Sequence, residues 1–518
     1  MVLKEEILEI CKKKEILLDK SLIDSLSLLE EDLAKKIILS FFNLNLKVKF
    51  ITKNLFLSYY KEISDQFNDN EKTLLKNFFV SLGFNEKDLI IKNEEKEEKR
   101  EIKENNNIKI VFSPQFLPKK ISVDDFVNYF RARYEQIKNI LLEKNLDKIL
   151  SIRRISNERS NFWIICLVYD KRITKNNNII LEVEDLTGKT TILVNSNKKE
   201  VFEKAKNLLL DEVIAIKVSG DKKFLFADEI IFPDSSLPNR KKLEEEEVMV
   251  VISDLHVGSS LFFEKNFLKF VDWINGKLEA HKDLAKKAKY LFVVGDSVDG
   301  VGIFPGQEKL LAINDIKKQY EKLAELLSLI RDDIKIIICP GQHDAVWVGE
   351  PQPIIGEEWA SELYKMKNVF LVSNPAVIQI RDKINVLMYH GAGMHEIIES
   401  IEEIRIKYGH RCPTIVTKEM LKRRHLSPSH GSNDYIPTEK KDYLVIENVP
   451  DIVLTGDQHR SEVLYYNNIL LIASSCWQAK TPFEEKIGHE PDPCKVPILN
   501  LKTREVKILD FSEDERLD

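Results

Sequence analysis

The sequence predicts a multidomain α/β protein, and three observations lead to this prediction. The chain has 518 residues, more than one hydrophobic core usually organises, so two to four domains are expected. Its hydrophobic pattern changes from helical spacing near the amino end to strand-like alternation in the middle. Beyond residue 246, short continuous apolar runs alternate with helical stretches, which is typical of strands buried on both faces of a layered domain.

The composition is that of an ordinary soluble protein. Hydrophobic residues make up 43% and charged residues 31%, and no apolar run reaches the length of about 18 residues that a membrane helix needs. The first residues mix acids and bases, which is not typical of a signal peptide. The six cysteines are scattered without CxxC pairs, which favours a reducing setting. The net charge of −6 provides no general attraction to nucleic acid.

The amino-terminal part predicts a small helical module followed by a linker. Residues 1–91 place apolar residues at helical spacing, and we interpret them as a helical interaction module. The segments with this spacing are ILEICKKKEI, DSLSLLEEDLAKKIILSFFNL and NEKTLLKNFFVSLGF. From residue 92 to 107, 11 of 16 positions are charged, so residues 92–112 are predicted to be a charged flexible linker. A single long charged helix is the alternative.

A helical connector and a β-barrel are predicted next. Residues 113–150 contain the helical pattern DDFVNYFRARYEQIKNILLEK. Residues 151–240 show several short strands, a hairpin turn at Gly188 and one interposed helix, which fit a five-stranded OB fold. OB folds often bind single strands through basic, aromatic faces. Few aromatic residues are predicted on this surface, so a structural or docking role is favoured.

Residues 246–518 form the predicted α/β domain, and polar residues follow its strands. Five apolar runs end in Asp, His or an amide, most of them beside a glycine. The residues in question lie in Ser253–His256, Gly295–Asp296, Gly341–Asp344, Tyr389–Gly391 and Gly456–His459. Ligands of open α/β sheets gather outside the carboxyl ends of the strands. A single strand-end histidine is more often structural, but five such segments together predict a site for two divalent metals.

These motifs resemble those of the calcineurin-like metallophosphoesterases, which have an α/β/β/α layered domain. The segments that carry the resemblance are SDLHVG, GDSVDG, PGQHD, YHG and GDQH. A narrower resemblance, to the small subunit of archaeal family D DNA polymerase, runs from about residue 113 to 512. It is carried by VGDSVDGVGIFPGQ, DIKKQYEKLAELL, EPQPII, LKRRHLSP, SSCWQAKT and the pairing of DDFVNYFRARY with a barrel.

This resemblance implies a metal-dependent 3′–5′ exonuclease that proofreads DNA within a heterodimeric replicative polymerase. It implies two divalent ions, Mn²⁺ foremost, with Mg²⁺, Fe²⁺ or Zn²⁺ as other choices. The implied metal ligands are Asp254, His256, Asp296, Gln342, His390, Asp457 and His459. His343 is the implied catalytic histidine, and Asp344 is expected to orient its imidazole. The implied partners are the large catalytic subunit and DNA with a single-stranded 3′ end, in the cytoplasm at the nucleoid.

Two implied ligands depart from the family pattern, and both belong to the second metal. Gln342 stands where an Asn is usual, and Asp457 stands where the first His of GHxH is usual. Gln keeps an amide oxygen on a longer side chain. Asp replaces a neutral nitrogen with an anionic oxygen, which favours Mg²⁺ or Mn²⁺ over softer ions.

These departures keep a second hypothesis open. Related B-subunits of eukaryotic polymerases have the same architecture with a decayed site, so the chain could be a catalytically weakened scaffold for the large subunit. Against decay, the six remaining motif residues are retained; these are Asp254, His256, Asp296, His343, His390 and His459. A stand-alone phosphatase is a third hypothesis, which the barrel and the linked helical module disfavour.

Other polar residues receive weaker predictions. Asp299 is expected either to orient a metal ligand or to cap a helix. The basic stretch 421–425 is expected either to contact DNA phosphates or to be a solvated helix face. Trp477 is expected to pack rather than to stack on a base. The remaining histidines are expected to be surface or core residues; these are His281, His395, His410, His425, His430 and His489.

Overall fold

The structure is a computed structural model. It describes residues 17–42, 50–51, 63–64, 66–82, 107–115, 120–431, 433–438 and 440–512, together with Glu9, Cys11 and Tyr59. The chain divides into two compact units, Met1–Glu104 and Asn105–Asp518, which are described separately. Among the described residues, every helix is too short or too polar to span a bilayer. The multidomain α/β prediction is confirmed at this level.

The first unit contains helices α1–α3 and a short parallel strand pair. Their bounds are α1 Lys20–Leu26, α2 Glu31–Phe42, α3 Asp69–Ser81, β1 Leu17–Leu18 and β2 Phe50–Ile51. Helix α3 begins at a capping box, because the Asn68 side chain accepts from the Glu71 amide and the Glu71 carboxylate accepts from the Asn68 amide. The strand pair was not predicted. The predicted helical segment 7–16 lies, apart from Glu9 and Cys11, outside the described residues.

The second unit starts with a strand, which corrects the predicted linker boundary. Strand β3 (Ile108–Phe112) pairs antiparallel with residues 376–380 of a sheet described below. The prediction that residues 92–112 are all linker is therefore wrong at its carboxyl end. Ile108, Ile110 and Phe112 alternate with outward-facing residues, and Ile108 is buried, which is the period of a strand with one buried face. Residues 92–106 lie outside the described residues.

Helix α4 (Val123–Leu142) follows and confirms the helix predicted between residues 113 and 150. Its buried face includes Tyr129, Arg133, Tyr134 and Ile137. Tyr134 donates its hydroxyl proton to the Ile165 carbonyl at 3.0 Å, and Ile137 packs in the same cluster as Trp163. The helix is therefore packed against the barrel that follows it.

The strands predicted over residues 151–240 close into a five-stranded barrel. The barrel order is β4-β5-β6-β8-β7, with helix α5 between β6 and β7. The bounds are β4 Ser160–Ile173, β5 Ile179–Asp185, β6 Gly188–Val194, α5 Lys199–Lys206, β7 Val213–Gly220 and β8 Leu225–Ile231. Strands β6 and β8 pair in parallel and close the barrel, while the other neighbours are antiparallel. Its interior is mainly aliphatic.

Two six-stranded sheets form the rest of the unit. The first has the order β12-β11-β10-β9-β18-β19, in which β9 to β12 are parallel. Its bounds are β9 Val248–Ile252, β10 Ala288–Val294, β11 Lys335–Cys339, β12 Val369–Leu371, β18 Lys495–Asn500 and β19 Val506–Asp510. Strand β18 pairs antiparallel with β9 and with β19.

The second sheet has the order β16-β17-β15-β14-β13-β3, in which β14, β15 and β17 are parallel. Its further bounds are β13 Ala376–Ile380, β14 Ile384–Met388, β15 Ile452–Thr455, β16 Glu462–Tyr466 and β17 Ile469–Ala473. The two sheets share one apolar core, to which β9 contributes Met249 and Val251 and β15 contributes Leu454. The sheets therefore pack face to face.

Helices cover the outer faces of both sheets. Against the first sheet lie α6 Glu264–Ile274, α7 Lys282–Lys287, α8 Ile316–Ser328 and α9 Glu357–Lys365. Against the second lie α10 Met394–Ser400, α11 Glu402–Lys407 and α12 Pro413–Arg423. Helix α13 (Pro482–Ile487) lies between β17 and β18 in the chain. The layers place the carboxyl ends of β9, β10 and β11 beside those of β14 and β15.

Two weaker predictions are settled by this packing. Trp477 is 1% exposed and contacts Phe267 and Phe270, so it is a packing residue as expected. In the basic stretch, Arg423 and Arg424 are buried, so neither a DNA contact nor a solvated face describes them. Their guanidinium groups bind carboxylates and backbone carbonyls, because tertiary contacts bury the end of α12.

Candidate metal centre

Loops that each follow a strand bring the predicted ligands together. Asp254 and His256 follow β9, Asp296 follows β10, His390 follows β14, and His459 follows β15. Non-glycine residues rarely adopt the left-handed region of backbone conformation. Four of these five residues do so, with φ between 47° and 52°; they are Asp254, His256, Asp296 and His459. Asp457 also lies in this region, with a φ of 63°. Strained backbone of this kind is typical of functional sites, which makes these loops a candidate for one.

The first group of ligand atoms consists of Asp254, His256 and His459. All three residues are buried, and their ligand atoms lie within 4.8 Å of one another. His459 Nε2 is 3.3 Å from Asp254 Oδ1 and 3.4 Å from His256 Nε2. One cation between them would have one oxygen and two nitrogen ligands, a donor set that suits Mn²⁺, Fe²⁺ or Zn²⁺.

Two further groups overlap the first. Asp254, Asp296 and His390 form one, and His256, Asp296 and His343 form the other, again with ligand atoms within 4.8 Å. His390 Nε2 lies 3.3 Å from Asp296 Oδ2 and 4.0 Å from Asp254 Oδ1. The Asp254 and Asp296 carboxylates are therefore shared between groups, as a bridging position requires.

One atom tests whether a metal fits this cluster. His390 Nε2 is fully buried and has no hydrogen-bond partner among the described residues, although it faces the carboxylates of Asp254 and Asp296. A buried nitrogen of this kind is costly unless a cation or a donor satisfies its surroundings. A divalent cation bound to the carboxylates and to this nitrogen would satisfy all of them, so the residues present fit a metal.

Hydrogen bonds at the Nδ1 atoms fix the orientation of three histidine rings. His256 Nδ1 lies 3.1 Å from Asp299 Oδ1, and His459 Nδ1 lies 2.7 Å from Glu484 Oε1. His390 Nδ1 donates to the Val294 carbonyl at 2.9 Å. Each Nδ1 atom is thereby occupied, and each Nε2 atom faces the cluster, which is the usual arrangement behind metal-binding imidazoles.

The charges of the cluster are strongly coupled. Burial alone would raise the pKa of Asp296, but the imidazoles of His390 and His343 hold that pKa far below its ordinary value. Burial would lower the pKa of His390, yet the carboxylates of Asp296, Asp254 and Asp457 raise it well above 6.5. Without a metal the cluster therefore favours a proton on His390. A divalent cation would take the place of that proton, so the affinity for such an ion would decrease as the pH falls.

Glycines permit this close approach. A Cβ atom at Gly341 would lie 2.2 Å from Asp296 Oδ1 and 2.7 Å from His390 Nε2. A Cβ atom at Gly295, whose φ is +80°, would lie 2.1 Å from His390 Nδ1. Neither position has room for a side chain, which explains why glycine accompanies the polar residues at these strand ends.

His343 joins the cluster, but Asp344 does not orient it. His343 Nδ1 donates to the Asp299 carbonyl at 2.8 Å, and its ring lies edge-on to that of His256 with 4.7 Å between centres. The Asp344 carboxylate instead accepts from the Gly341 and Ser297 amides and from the Tyr320 hydroxyl. The expected orienting role of Asp344 is wrong, because its side chain turns away from His343 and joins its own loop to the loop after β10 and to helix α8.

The two residues that depart from the family pattern are less well assembled. Asp457 Oδ1 is 4.0 Å from His390 Nε2, but Asp457 belongs to none of the close groups found among the described residues. Its Oδ2 atom lies 3.1 Å from His395 Nε2. Gln342 is half-buried in the loop after β11, and its amide makes no hydrogen bond to a described residue.

Several residues beside the cluster escaped the sequence prediction. His395, expected to be a surface or core residue, pairs with Asp457, and Gln458 Nε2 donates to Asp457 Oδ2 at 2.6 Å. His410 Nδ1 is 2.8 Å from Gln458 Oε1, and Glu484 orients His459. Only Gln458 lies within a quoted motif. The others contact the cluster through tertiary structure alone, so no sequence signal marks them.

Comparison with known proteins agrees with these motifs. The family model for the B-subunits of DNA polymerases alpha and epsilon matches residues 249–464. A DNA polymerase II small subunit of Methanothermobacter thermautotrophicus is 37% identical over 393 residues, which cover 75% of this chain and 80% of that protein. The small subunit of Pyrococcus furiosus is 38% identical, with 76% of this chain and 64% of that protein covered. That of Archaeoglobus fulgidus is 38% identical, with 73% and 75% covered.

Solved structures with detectable similarity include a novel archaeal phosphodiesterase. It is 13% identical, with a TM-score of 0.25, and the match covers 51% of this chain and 98% of that one. A TM-score this low does not establish a common fold, whereas the identity to the archaeal subunits establishes the family. The chain belongs to the family of archaeal DNA polymerase II small subunits, the small subunits of the family D DNA polymerases that its motifs resemble.

Proposed function

We propose that the chain is a metal-dependent 3′–5′ exonuclease that proofreads DNA for the large catalytic subunit of a family D polymerase. The observation that carries this proposal is the cluster of ligand atoms, in which three close groups share Asp254, Asp296 and His256. Phosphodiester hydrolysis at two metals needs carboxylates shared between neighbouring cation positions. The membership of the polymerase small-subunit family supplies the DNA context.

We also propose a role for each domain. Residues 1–91 are proposed to be an interaction module, and the closed barrel within 151–240 to be an OB fold. Residues 246–518, with their two packed sheets between helices, are proposed to be a calcineurin-like metallophosphoesterase domain. The proposed substrate is DNA with a single-stranded 3′ end, and the proposed setting is the cytoplasm at the nucleoid.

Two divalent ions, Mn²⁺ foremost, are the proposed cofactors. Asp254, His256 and His459 would hold the first, and Asp296 would bridge to the second. His390 would bind the second, with the Asp457 and Gln342 oxygens completing it after a small rearrangement. Such ions supply Lewis acidity, which lowers the pKa of water and neutralises the non-bridging phosphate oxygens. Mg²⁺, Fe²⁺ and Zn²⁺ have compatible ligand preferences.

His343 is the residue proposed to act on the phosphate. Its Nδ1 atom is committed to the Asp299 carbonyl, which can only accept, so Nε2 is the atom available for proton transfer. Burial lowers the pKa of His343, and the Asp296 carboxylate opposes that effect. A negative phosphate beside the ring would favour its protonated form. Nε2–H could then donate to the departing 3′-oxygen.

One observation supports the alternative of a weakened scaffold subunit. Among the described residues, Gln342 has no hydrogen-bond partner and Asp457 lies outside the close ligand groups, so the second metal position is the less complete one. A scaffold would bind the large subunit and a single ion without hydrolysing DNA. The two functions therefore differ in the number of bound ions and in nuclease activity.

The proposal is tested with the purified chain, alone and with a large subunit, on a 3′-mismatched primer–template with Mn²⁺. We expect stepwise shortening from the 3′ end, and a loss of about two to four orders of magnitude in rate in His343→Ala. Metal analysis should find two ions per chain. A chain that never shortens the primer under any divalent metal, alone or in the complex, would be the scaffold.

A further inference from the structure

A cavity of about 390 Å³ lies beside the metal cluster, between the loop that follows α11 and the loop that follows α13. Its wall includes Arg405, Tyr408, His410, Arg411, His489 and Glu490. The volume falls within the range of about 300–1,000 Å³ that is usual for small-ligand pockets. None of these residues belongs to the motifs that predicted the metal site.

Two short connections join this wall to the metal ligands. His410 contacts Gln458 at 2.8 Å, and Gln458 donates to Asp457 at 2.6 Å. On the other side, His489 Nδ1 lies 3.5 Å from the Glu484 carboxylate that orients His459. The rings of His459 and His489 are 6.0 Å apart. The cavity is therefore adjacent to the cluster rather than on a remote surface.

The cavity wall contains two arginines and one acidic residue. Arg405 and Arg411 are exposed. Arg405 Nη1 donates to the Glu399 carbonyl, and among the described residues neither guanidinium forms an ion pair with a carboxylate. Lys407 Nζ lies 4.9 Å from the centre of the Tyr408 ring, and Glu490 is the acidic residue among those that line the cavity. Planar guanidinium groups bind phosphate oxygens in pairs, so this charge pattern fits an anion with several oxygens.

One buried atom in the wall also lacks a partner. His489 is 7% exposed, and its Nε2 atom makes no hydrogen bond to a described residue. The rings of His410 and His489 are 5.5 Å apart, and those of His395 and His410 are 5.1 Å apart. Two imidazoles and two guanidinium groups thus line the cavity, and the His395 imidazole lies next to that of His410.

We propose that this cavity binds the phosphate of a nucleotide, with Arg405 and Arg411 as the anion ligands and the Tyr408 ring beside the base. The nucleotide is either one unit of the DNA strand near the cleaved bond or the mononucleotide that cleavage releases. The choice of a nucleotide rests on the proposed exonuclease function. Base stacking on an aromatic ring and phosphate binding by arginine are the usual means of holding single strands.

The test measures binding without cleavage. The full chain is titrated in EDTA against a fluorescent oligothymidylate, and dTMP and inorganic phosphate are used as competitors. We expect Arg405→Ala/Arg411→Ala to weaken oligonucleotide binding by about tenfold or more, and to lower the salt slope by about 0.7 for each lost phosphate contact. Arg405→Lys/Arg411→Lys should retain the salt slope, because the positive charge remains, but lose part of the affinity, because a lysine does not bind phosphate oxygens in pairs.

A matched control removes two positive charges elsewhere. Lys502 and Lys507 are exposed on the β18–β19 hairpin, which pairs with β9 away from the loops that hold the metal ligands. Lys502→Ala/Lys507→Ala should leave binding nearly unchanged. If dTMP competes and only its binding depends on the two arginines, the ligand is the released mononucleotide. Equal binding of both ligands by the arginine variant and the control would overturn the proposal.

The outcome is independent of nuclease activity. If the wild-type chain binds the oligonucleotide through Arg405 and Arg411 but never cleaves DNA, the exonuclease proposal is wrong and the nucleotide-binding proposal stands. If the chain cleaves DNA, and KM and binding are unchanged in Arg405→Ala/Arg411→Ala, the nucleotide-binding proposal is wrong and the exonuclease proposal stands. The melting temperature of each variant verifies that the fold is intact.

Discussion

Two buried charged regions of the second unit differ in how completely their polar atoms are paired. In the first, Asp442 accepts from Arg133 Nε at 2.7 Å and from His425 Nε2 at 2.8 Å. Its other oxygen accepts from the Leu444 amide, and His425 Nδ1 accepts from the Ser427 amide. This Arg133–Asp442–His425 triad is closed. In the metal cluster, His390 Nε2 has no hydrogen bond to a described residue and two carboxylates face one another.

The difference separates a structural role from a functional one. A closed triad gains nothing from a further ligand, and its members join α4 to the segment after α12. A cation would complete the pairing in the metal cluster, because the ligand atoms of its carboxylates and imidazoles lie within 4.8 Å of one another in each close group. Removal of one member should therefore cost stability in the triad and ligand binding in the cluster.

The largest expected effect is that of Asp296→Asn. An amide keeps the shape of the side chain but removes the charge that two of the close groups share. We expect a loss of several kcal/mol of transition-state stabilisation, or about a thousandfold in nuclease rate. The stabilisation that Mn²⁺ confers on the wild-type chain, about 2.7 kcal/mol at a hundred times Kd, should also disappear. Rates and metal-dependent melting temperatures measure both effects.

The corresponding change in the triad is Arg133→Met, and its effect should be on stability. The Asp442 carboxylate would remain buried with His425 as its remaining side-chain partner, which typically costs about 3–5 kcal/mol of unfolding free energy. Arg131, two residues away on α4, is exposed, so Arg131→Met should change stability by less than about 0.5 kcal/mol. Urea unfolding without metal compares the two variants. If Arg133→Met instead abolished the Mn²⁺ effect and spared stability, the distinction between the regions would be lost.

The metal cluster and the triad also differ in whether the sequence predicts them. The strands β9, β10, β11, β14 and β15 are continuous apolar runs, and their polar ends were therefore visible in the sequence. The triad was not visible, because Arg133 and Asp442 are 309 residues apart and nothing local links them. Asp344 shows a related limit. Its place beside His343 was evident, but the direction of its side chain depends on the amides of Gly341 and Ser297.

Secondary structure was missed where it depends on neighbours. Strand β3 follows a highly charged segment and is ordered by pairing with β13, and the antiparallel strands β13, β16, β18 and β19 were not singled out in the sequence. Strands β13 and β19 have buried residues interrupted by more exposed ones, so they lack the continuous apolar runs of the central parallel strands. Strand β18 is buried over Val496–Leu499, but its run is short and contains Pro497. The core strands are therefore the predictable part of this fold, and they are also the strands that position the site.

The stability of the triad should also depend on pH. Burial lowers the pKa of His425 from 6.5 to about 4, and the nearby Arg133 charge acts in the same direction. Between these values the unfolded chain binds a proton that the folded chain does not, so stability decreases as the pH falls from about 6.5 to 4. The full decrease is about 3 kcal/mol for a shift of this size. Above pH 6.5 the group makes no pH-dependent contribution.

His425→Gln provides the comparison, because its amide can still donate to Asp442 but does not titrate. We expect the unfolding free energy of this variant to depend less on pH between about 6.5 and 4 than that of the wild type. Buried carboxyl groups such as Asp344, whose pKa is raised by burial to about 6, act in the opposite direction in both proteins and cancel in the difference. Parallel pH profiles of the two proteins would contradict the neutral state of His425.

The smallest effect should come from behind the metal ligands, in Glu484→Gln. The Glu484 carboxylate accepts from His459 Nδ1 through one oxygen and from the Thr481 amide through the other. A glutamine has a single acceptor oxygen, so one of these contacts must be lost. Loss of such an orienting partner lowers metal affinity by about 10- to 100-fold. Glu485→Gln, at the exposed neighbouring position, is the matched control and should leave the affinity unchanged.

Mn²⁺ titration calorimetry of both variants measures the binding steps of the two proposed ions. Glu484 acts on His459, whereas Asp457 and Gln342 belong to the proposed second ion, so Glu484→Gln should weaken one binding step and leave the other unchanged. If both binding steps weakened equally, the orientation of His459 would affect the binding of both ions. If neither changed, the contact at 2.7 Å would be structural, like those of the Arg133–Asp442–His425 triad. Incomplete pairing of polar atoms would then be limited to the residues that face the metal, and Glu484 would not be among them.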